Sequence, residues 1–155
     1  MKEPMNTANQ LNHNLNLSIT KTIQSNPERV WEILTTPKYI KEYLYGSEAI
    51  SEWKEGTSLV FKGIWEGTPY EEKGTILSFQ PPHTFKYTYF SAFFGLPDRP
   101  ENYSIIENKL TFADGIVTIH LNQTGFTAEE RRDHSIESWN QCLDIVRGIA
   151  ENLNI

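Results

Sequence analysis

Cysteine is almost missing from this chain: Cys142 is alone among 155 residues. No internal disulfide can form, so nothing in the composition asks for an oxidising compartment. Long apolar runs are missing too, and none approaches the roughly 18 residues that a membrane-spanning helix needs. The opening stretch MKEPMNTANQLNHN is polar and lacks the apolar core of a secretory signal. A cytoplasmic location is the resulting expectation. Cationic charge is short: 14 Lys and Arg stand against 20 Asp and Glu, a net charge of −6. That balance opposes attraction to nucleic acid or to an anionic membrane, and neither is expected as a partner.

The usual signatures of chemistry are also lacking. The four histidines, His13, His83, His120 and His134, show no metal-ligand spacing, and there is no Cys-x-x-Cys pair. No Gly-x-Ser-x-Gly elbow and no glycine-rich phosphate loop occurs. The expectation is no metal, no cofactor and no catalytic residue identifiable from motif. Cys142 reads as a small packing residue, and the mixed run Glu129 to Asp133 as a solvated helix start.

What the chain does have is aromatic rings. Ten of its 19 aromatic residues fall between Phe61 and Phe94. Around them the pattern reads as one domain. Residues 1–14 read as a loose tail. Leu15, Leu17 and Ile19 alternate with polar residues, giving a strand to about Gln24. Asn26-Pro27-Glu28 is a helix start, and Thr36-Pro37 repeats it, so two short helices follow, the second stopping near Gly46. Strands then succeed one another to residue 124: Ala49 to Trp53, a strand carrying Leu59, Phe61, Gly63 and Trp65 on one face, Tyr70 to Phe79, Phe85 to Tyr89, Asn102 to Phe112, and one after Asp114-Gly115. That Asp-Gly pair is the strongest hairpin signal, because both positions tolerate a positive φ. From Thr127, which has capping-box spacing to Glu130, apolar residues recur at Ile136, Trp139, Leu143, Val146, Ile149 or Ala150, and Leu153 on one face of a helix of about 25 residues.

Seven strands about 4.8 Å apart make a sheet roughly 30 Å wide, whereas a helix with its side chains is about 10 to 12 Å across. The sheet must curl around the last helix, leaving a crescent that side chains or a ligand fill. Phe61, Trp65, Tyr87 and Tyr89 either line such a pocket or occupy it as core. Phe93, Phe94 and Leu96 lie in a loop, where large apolar residues suggest a lid over the pocket mouth, a dimer contact or a loop that tucks into the core, the first two together being favoured. Asn140 on the last helix and Glu72 on a strand are the polar candidates for orienting a ligand.

This order of elements resembles the START-like, birch-pollen-allergen-like superfamily, also called the polyketide cyclase or SRPBCC group. Pro27-Glu28-Arg29-Val30-Trp31 with Leu34-Thr35-Thr36-Pro37, then Gly74-Thr75-Ile76 leading through Pro81-Pro82 to Phe85 and Tyr89, then Trp139 with Leu143, are similar to its branch homologous to the activator of the heat-shock-protein-90 ATPase. The resemblance implies an α+β helix-grip fold over residues 15–155: a curved seven-stranded antiparallel sheet wrapped around a long C-terminal helix, with two short helices between strands 1 and 2. It also implies a cavity for a lipid, sterol or polyketide-like molecule. The expected ligand-binding set is Phe61, Trp65, Tyr87, Tyr89, Phe93, Phe94, Ile136, Trp139, Asn140 and Leu143. Alternatives are a cyclase or hydrolase using the same cavity, or a co-chaperone-like interaction domain. The expected assembly is monomer or homodimer.

Overall fold

The structure, a computed structural model, describes residues 10–152. Strand β1 (Asn12–Ile23) leads into helices α1 (Pro27–Thr35) and α2 (Pro37–Tyr43), followed by β2 (Glu48–Ser51), β3 (Ser58–Trp65), β4 (Thr68–Gln80), β5 (Thr84–Tyr89), β6 (Ser104–Ala113) and β7 (Ile116–Phe126), and finally α3 (Glu129–Glu151). The strands form one antiparallel sheet in the order β1-β7-β6-β5-β4-β3-β2. The expected α+β architecture is therefore present, with seven strands, two short helices after β1 and a long helix on the sheet.

Local chemistry accounts for several element ends. Asn26 caps α1 by accepting a hydrogen bond from the Arg29 backbone N–H at 2.9 Å, and Pro27 occupies the first turn; a missing N–H costs nothing there. Asp114 and Gly115 adopt φ of 54° and 77° between the paired residues Ala113 and Ile116. Glu66 and Gly67 do the same between Trp65 and Thr68, with φ of 49° and 82°. Both are two-residue turns whose twist matches that of the flanking strands.

Three expectations need correction. The tail was expected to reach residue 14, but β1 begins at Asn12 and Leu11 is buried. The Leu11 N–H donates to Asn102 Oδ1 at 3.1 Å and His13 Nε2 lies 2.9 Å from the Glu101 carbonyl, so a distant loop fastens residues that carry no strand pattern of their own. Residues 1–9 of the expected tail, and Leu153 of the expected helix face, lie outside the described residues. The Thr127 capping box does not form: α3 starts one residue later, with Ala128 at the cap position and no side-chain cap bond. Thr36 likewise makes no side-chain cap bond to α2.

Helix α3 packs chiefly on β1 and touches β7 more lightly, while α1 reaches β6 and α2 covers β2. Its buried residues Cys142, Leu143 and Val146 join the core with Ile19, Val117, Ile119 and Leu121. At the α1 end the space is filled: Trp31, Trp53, Phe79 and Phe85 meet with ring centroids 5.3 to 6.4 Å apart. At the other end α3 stands over the β1 and β7 side of the sheet.

Candidate functional site

Between α3 and the concave faces of β3 to β7 lies a cavity of about 440 Å³, within the usual range for a small-molecule site. Strand parity decides which residues reach it. On β5, Phe85, Tyr87 and Tyr89 share the concave face; Phe85 goes to the filled end, and Tyr87 and Tyr89 form the cavity wall. Phe61 on β3 stands beside them, its ring 6.1 Å from Tyr87 and 6.3 Å from Tyr89. Glu72 and Tyr70 come from β4, Ile106 from β6, and Gln123 and Phe126 from β7.

The mouth is aromatic as well. Trp65 and Ile64, at the tip of the β3–β4 hairpin, are 60% and 72% exposed, and Phe93 is 62% exposed. All three border the cavity. Trp65 shares its strand parity with Phe61, yet the hairpin carries it past the packed layer, so it lies at the mouth and not in the core. Phe93 sits in a short 3-10 turn, Ala92–Phe94, whose N-cap Ser91 accepts from the Phe93 N–H at 3.1 Å. Its ring reaches Tyr70 across the opening, 6.3 Å between centroids. Phe94 folds inward against Tyr89 and Phe90, at 6.0 and 5.8 Å.

Helix α3 supplies the opposite wall through Arg131, His134, Ser135, Ser138, Trp139 and Cys142. These positions follow the i, i+3, i+4 spacing of one helical stripe. Trp139 is anchored by its indole Nε1–H, which donates to Gln123 Oε1 on β7 at 2.8 Å. Of the ten residues expected to bind ligand, Phe61, Trp65, Tyr87, Tyr89, Phe93, Phe94 and Trp139 border the cavity, whereas Ile136, Asn140 and Leu143 do not. Leu143 is fully buried in the core, Ile136 packs against that core, and Asn140 Nδ2 donates to the Ile136 carbonyl at 3.0 Å. The reason is helix phase: the apolar stripe of α3 serves the core, while the cavity takes the adjoining stripe, where polar residues are mixed in. Arg131, His134, Ser135 and Ser138 were missed because apolarity was the signal followed.

Polar groups converge on the cavity from two sides. Ser91 Oγ donates to Glu72 Oε2 at 2.9 Å, and the Tyr89 phenol lies near enough to feel the Glu72 charge. Burial, followed by the Glu72 charge, holds the Tyr89 hydroxyl well above its ordinary acidity range. Burial also raises Tyr87, with the nearby Cys142 and Glu72 adding to it. The Cys142 thiol, at the inner end of the helix stripe, is pushed up to about 11 by burial. Near the mouth Ser47 Oγ and Tyr70 Oη are 2.7 Å apart. The Tyr87 hydroxyl differs from these: its residue is 4% exposed and no side-chain hydrogen bond joins that oxygen to any described residue. Among the described residues no three His, Cys, Asp or Glu side chains gather as a metal site would require.

A curved antiparallel sheet gripping a C-terminal helix over a cavity defines a helix-grip protein. Residues 24–151 match the family model described as Activator of Hsp90 ATPase homolog 1-like protein, and the chain belongs to that family, within the SRPBCC, Bet v1-like superfamily. The solution structure of ChR145 from Cytophaga hutchinsonii is 37% identical, with a TM-score of 0.78, covering 96% of this chain and 97% of that one. The Aha1 dimer from Colwellia psychrerythraea is 15% identical with a TM-score of 0.68, over 88% of this chain and 96% of that one. Ara h 8.0201 is 14% identical with a TM-score of 0.69, over 87% and 96% respectively; these two likenesses establish fold alone. No curated protein sequence matches the chain. No helix among the described residues is long and apolar enough to cross a membrane.

Proposed function

We propose that this protein binds a small apolar or aromatic molecule in the cavity between α3 and the sheet. The observation that carries the reading is a 440 Å³ hollow left beside a core whose other end is closed by packed rings. Affinity would come from burying ligand surface against Phe61, Tyr87, Tyr89 and Trp139, with polar groups setting orientation. Unfolding midpoints measured with a panel of lipids, sterols and flavonoids test this. A ligand at about 100 times its Kd stabilises by roughly 2.7 kcal/mol; the absence of any shift, together with exclusion of apolar dyes, would reject it.

A second reading, an enzyme acting in the same space, is favoured by one observation: Glu72, Arg131 and His134 all border the cavity. A general acid or base within reach of a bound substrate is the minimum such chemistry needs. Turnover of polyketide-like or ester substrates that is lost in both Glu72→Gln and His134→Ala would support it. Self-association is a further expectation, supported by the exposed Ile64, Trp65 and Phe93. Sedimentation of the wild type against Trp65→Ser tests whether they form a homodimer contact, and a pull-down with the chaperone tests the co-chaperone-like alternative.

A further inference from the structure

We propose that the ligand of this cavity carries a protonated amine, seated on the Glu72 carboxylate among the rings of Phe61, Tyr87, Tyr89 and Phe94. The inference rests on the binding reading above and specifies the chemistry of the ligand.

Glu72 points from β4 into the cavity, whereas its neighbours Glu71 and Lys73 take the opposite parity and pair there with Lys62 and Asp98. None of the ion pairs among the described residues includes Glu72. Its carboxylate accepts from Ser91 Oγ at 2.9 Å. A half-buried carboxylate with that one donor retains acceptor capacity for further hydrogen bonds. The surrounding walls are aromatic, and ring faces carry the negative lobe of the quadrupole, which attracts an organic cation. The Tyr87 hydroxyl adds a second independent sign. It is buried in the same wall, two residues along β5 from Tyr89, with no hydrogen bond to a described residue, and a buried polar group left alone calls for a partner from the ligand. An ammonium group offers donors only, which suits a carboxylate and a phenol oxygen together.

The opposing charge is Arg131, one turn from His134 on α3. Arg131 is exposed to solvent, where screening weakens its effect on a group seated at the sheet.

The test uses three probes with one carbon skeleton: phenylbutylamine, phenylbutanol and phenylbutyrate. Binding is read by calorimetry and by the fluorescence of Trp65 and Trp139 near neutral pH and at low salt. The amine is expected to bind at least about tenfold tighter than the alcohol, because an unpaired carboxylate at partial burial favours a cation by that order. In Glu72→Gln the amine's advantage should fall below about threefold while the alcohol binds as before, since the amide keeps the shape and removes the charge. Equal binding of alcohol and amine in the wild type would overturn the proposal and leave the cavity reading in place. So would an amine preference that survives Glu72→Gln, or a butyrate that binds tightest. Failure of all three probes to bind would overturn both. The wild-type comparison decides by itself if the variant does not fold.

Discussion

Cys142 and the tyrosines around it make the cavity's inner wall sensitive to alkali. The thiol rises from an ordinary 9.0 to about 11 in the folded chain because burial disfavours the thiolate. A group whose folded pKa lies above its unfolded one contributes stability that is whole below the unfolded value and is lost as pH climbs towards the folded one. Stability should therefore decline from about pH 9 upward through pH 11, and the buried Tyr43, Tyr87 and Tyr89, all raised from 10.0 mainly by burial, extend the loss. Urea midpoints measured across that range check it, and a flat profile to pH 11 would contradict it. For the same reason the native thiol should react slowly with iodoacetamide near neutral pH. Tyr87→Phe removes a hydroxyl that bonds to no described residue, so stability should hold or rise by about 1 kcal/mol. The amine probe should bind several-fold more weakly to this variant, which separates a ligand-facing role from a structural one.

Elements were legible in the chain wherever a local signal was strong. The Asn26-Pro27 start and the Asp114-Gly115 turn depend on a few adjacent residues and appear where the pattern places them. The entry into α3 departs from its local pattern: Thr127, spaced correctly for a capping box, borders the cavity while Ala128 takes the cap position. The first residues of β1 gave no signal, because Asn12-His13-Asn14 holds no apolar alternation and is fastened by Asn102 and Glu101 far along the chain. At this scale Gly74 is the most constrained position: a Cβ there would collide with the Thr88 carbonyl oxygen. Backbone cannot yield as a flexible side chain does, so β4 and β5 would have to part where the Thr75 N–H donates to Thr88 Oγ1 at 2.9 Å. Gly74→Ala is expected to destabilise by on the order of 3 kcal/mol. A thermal midpoint within a degree or two of wild type would show that the sheet adapts.

Over the whole molecule, the attachment of α3 determines the cavity. The helix leans on β1, and the Trp139 to Gln123 hydrogen bond ties its exposed half to β7. Trp139→Phe would leave the buried Gln123 amide without that partner, at a cost of about 1 to 3 kcal/mol. It should also loosen the wall facing Tyr89, so a bound aromatic probe should lose affinity by a larger factor than it does with Phe93→Ala at the rim. Equal effects would mean that the tether does not organise the pocket.

The chain by itself determined the number, type and order of the elements, because periodicity, caps and turns are carried by neighbouring residues. It determined equally that a broad sheet would meet one narrow helix. Only the tertiary structure decided which end of the crescent filled with Trp31, Trp53, Phe79 and Phe85, and which end stayed open beside Glu72 and Tyr87. It also decided that the polar stripe of α3, carrying Arg131, His134 and Ser138, would face the hollow while Leu143 went to the core. Those outcomes depend on helix rotation and sheet curvature, which are set by contacts between residues far apart in sequence.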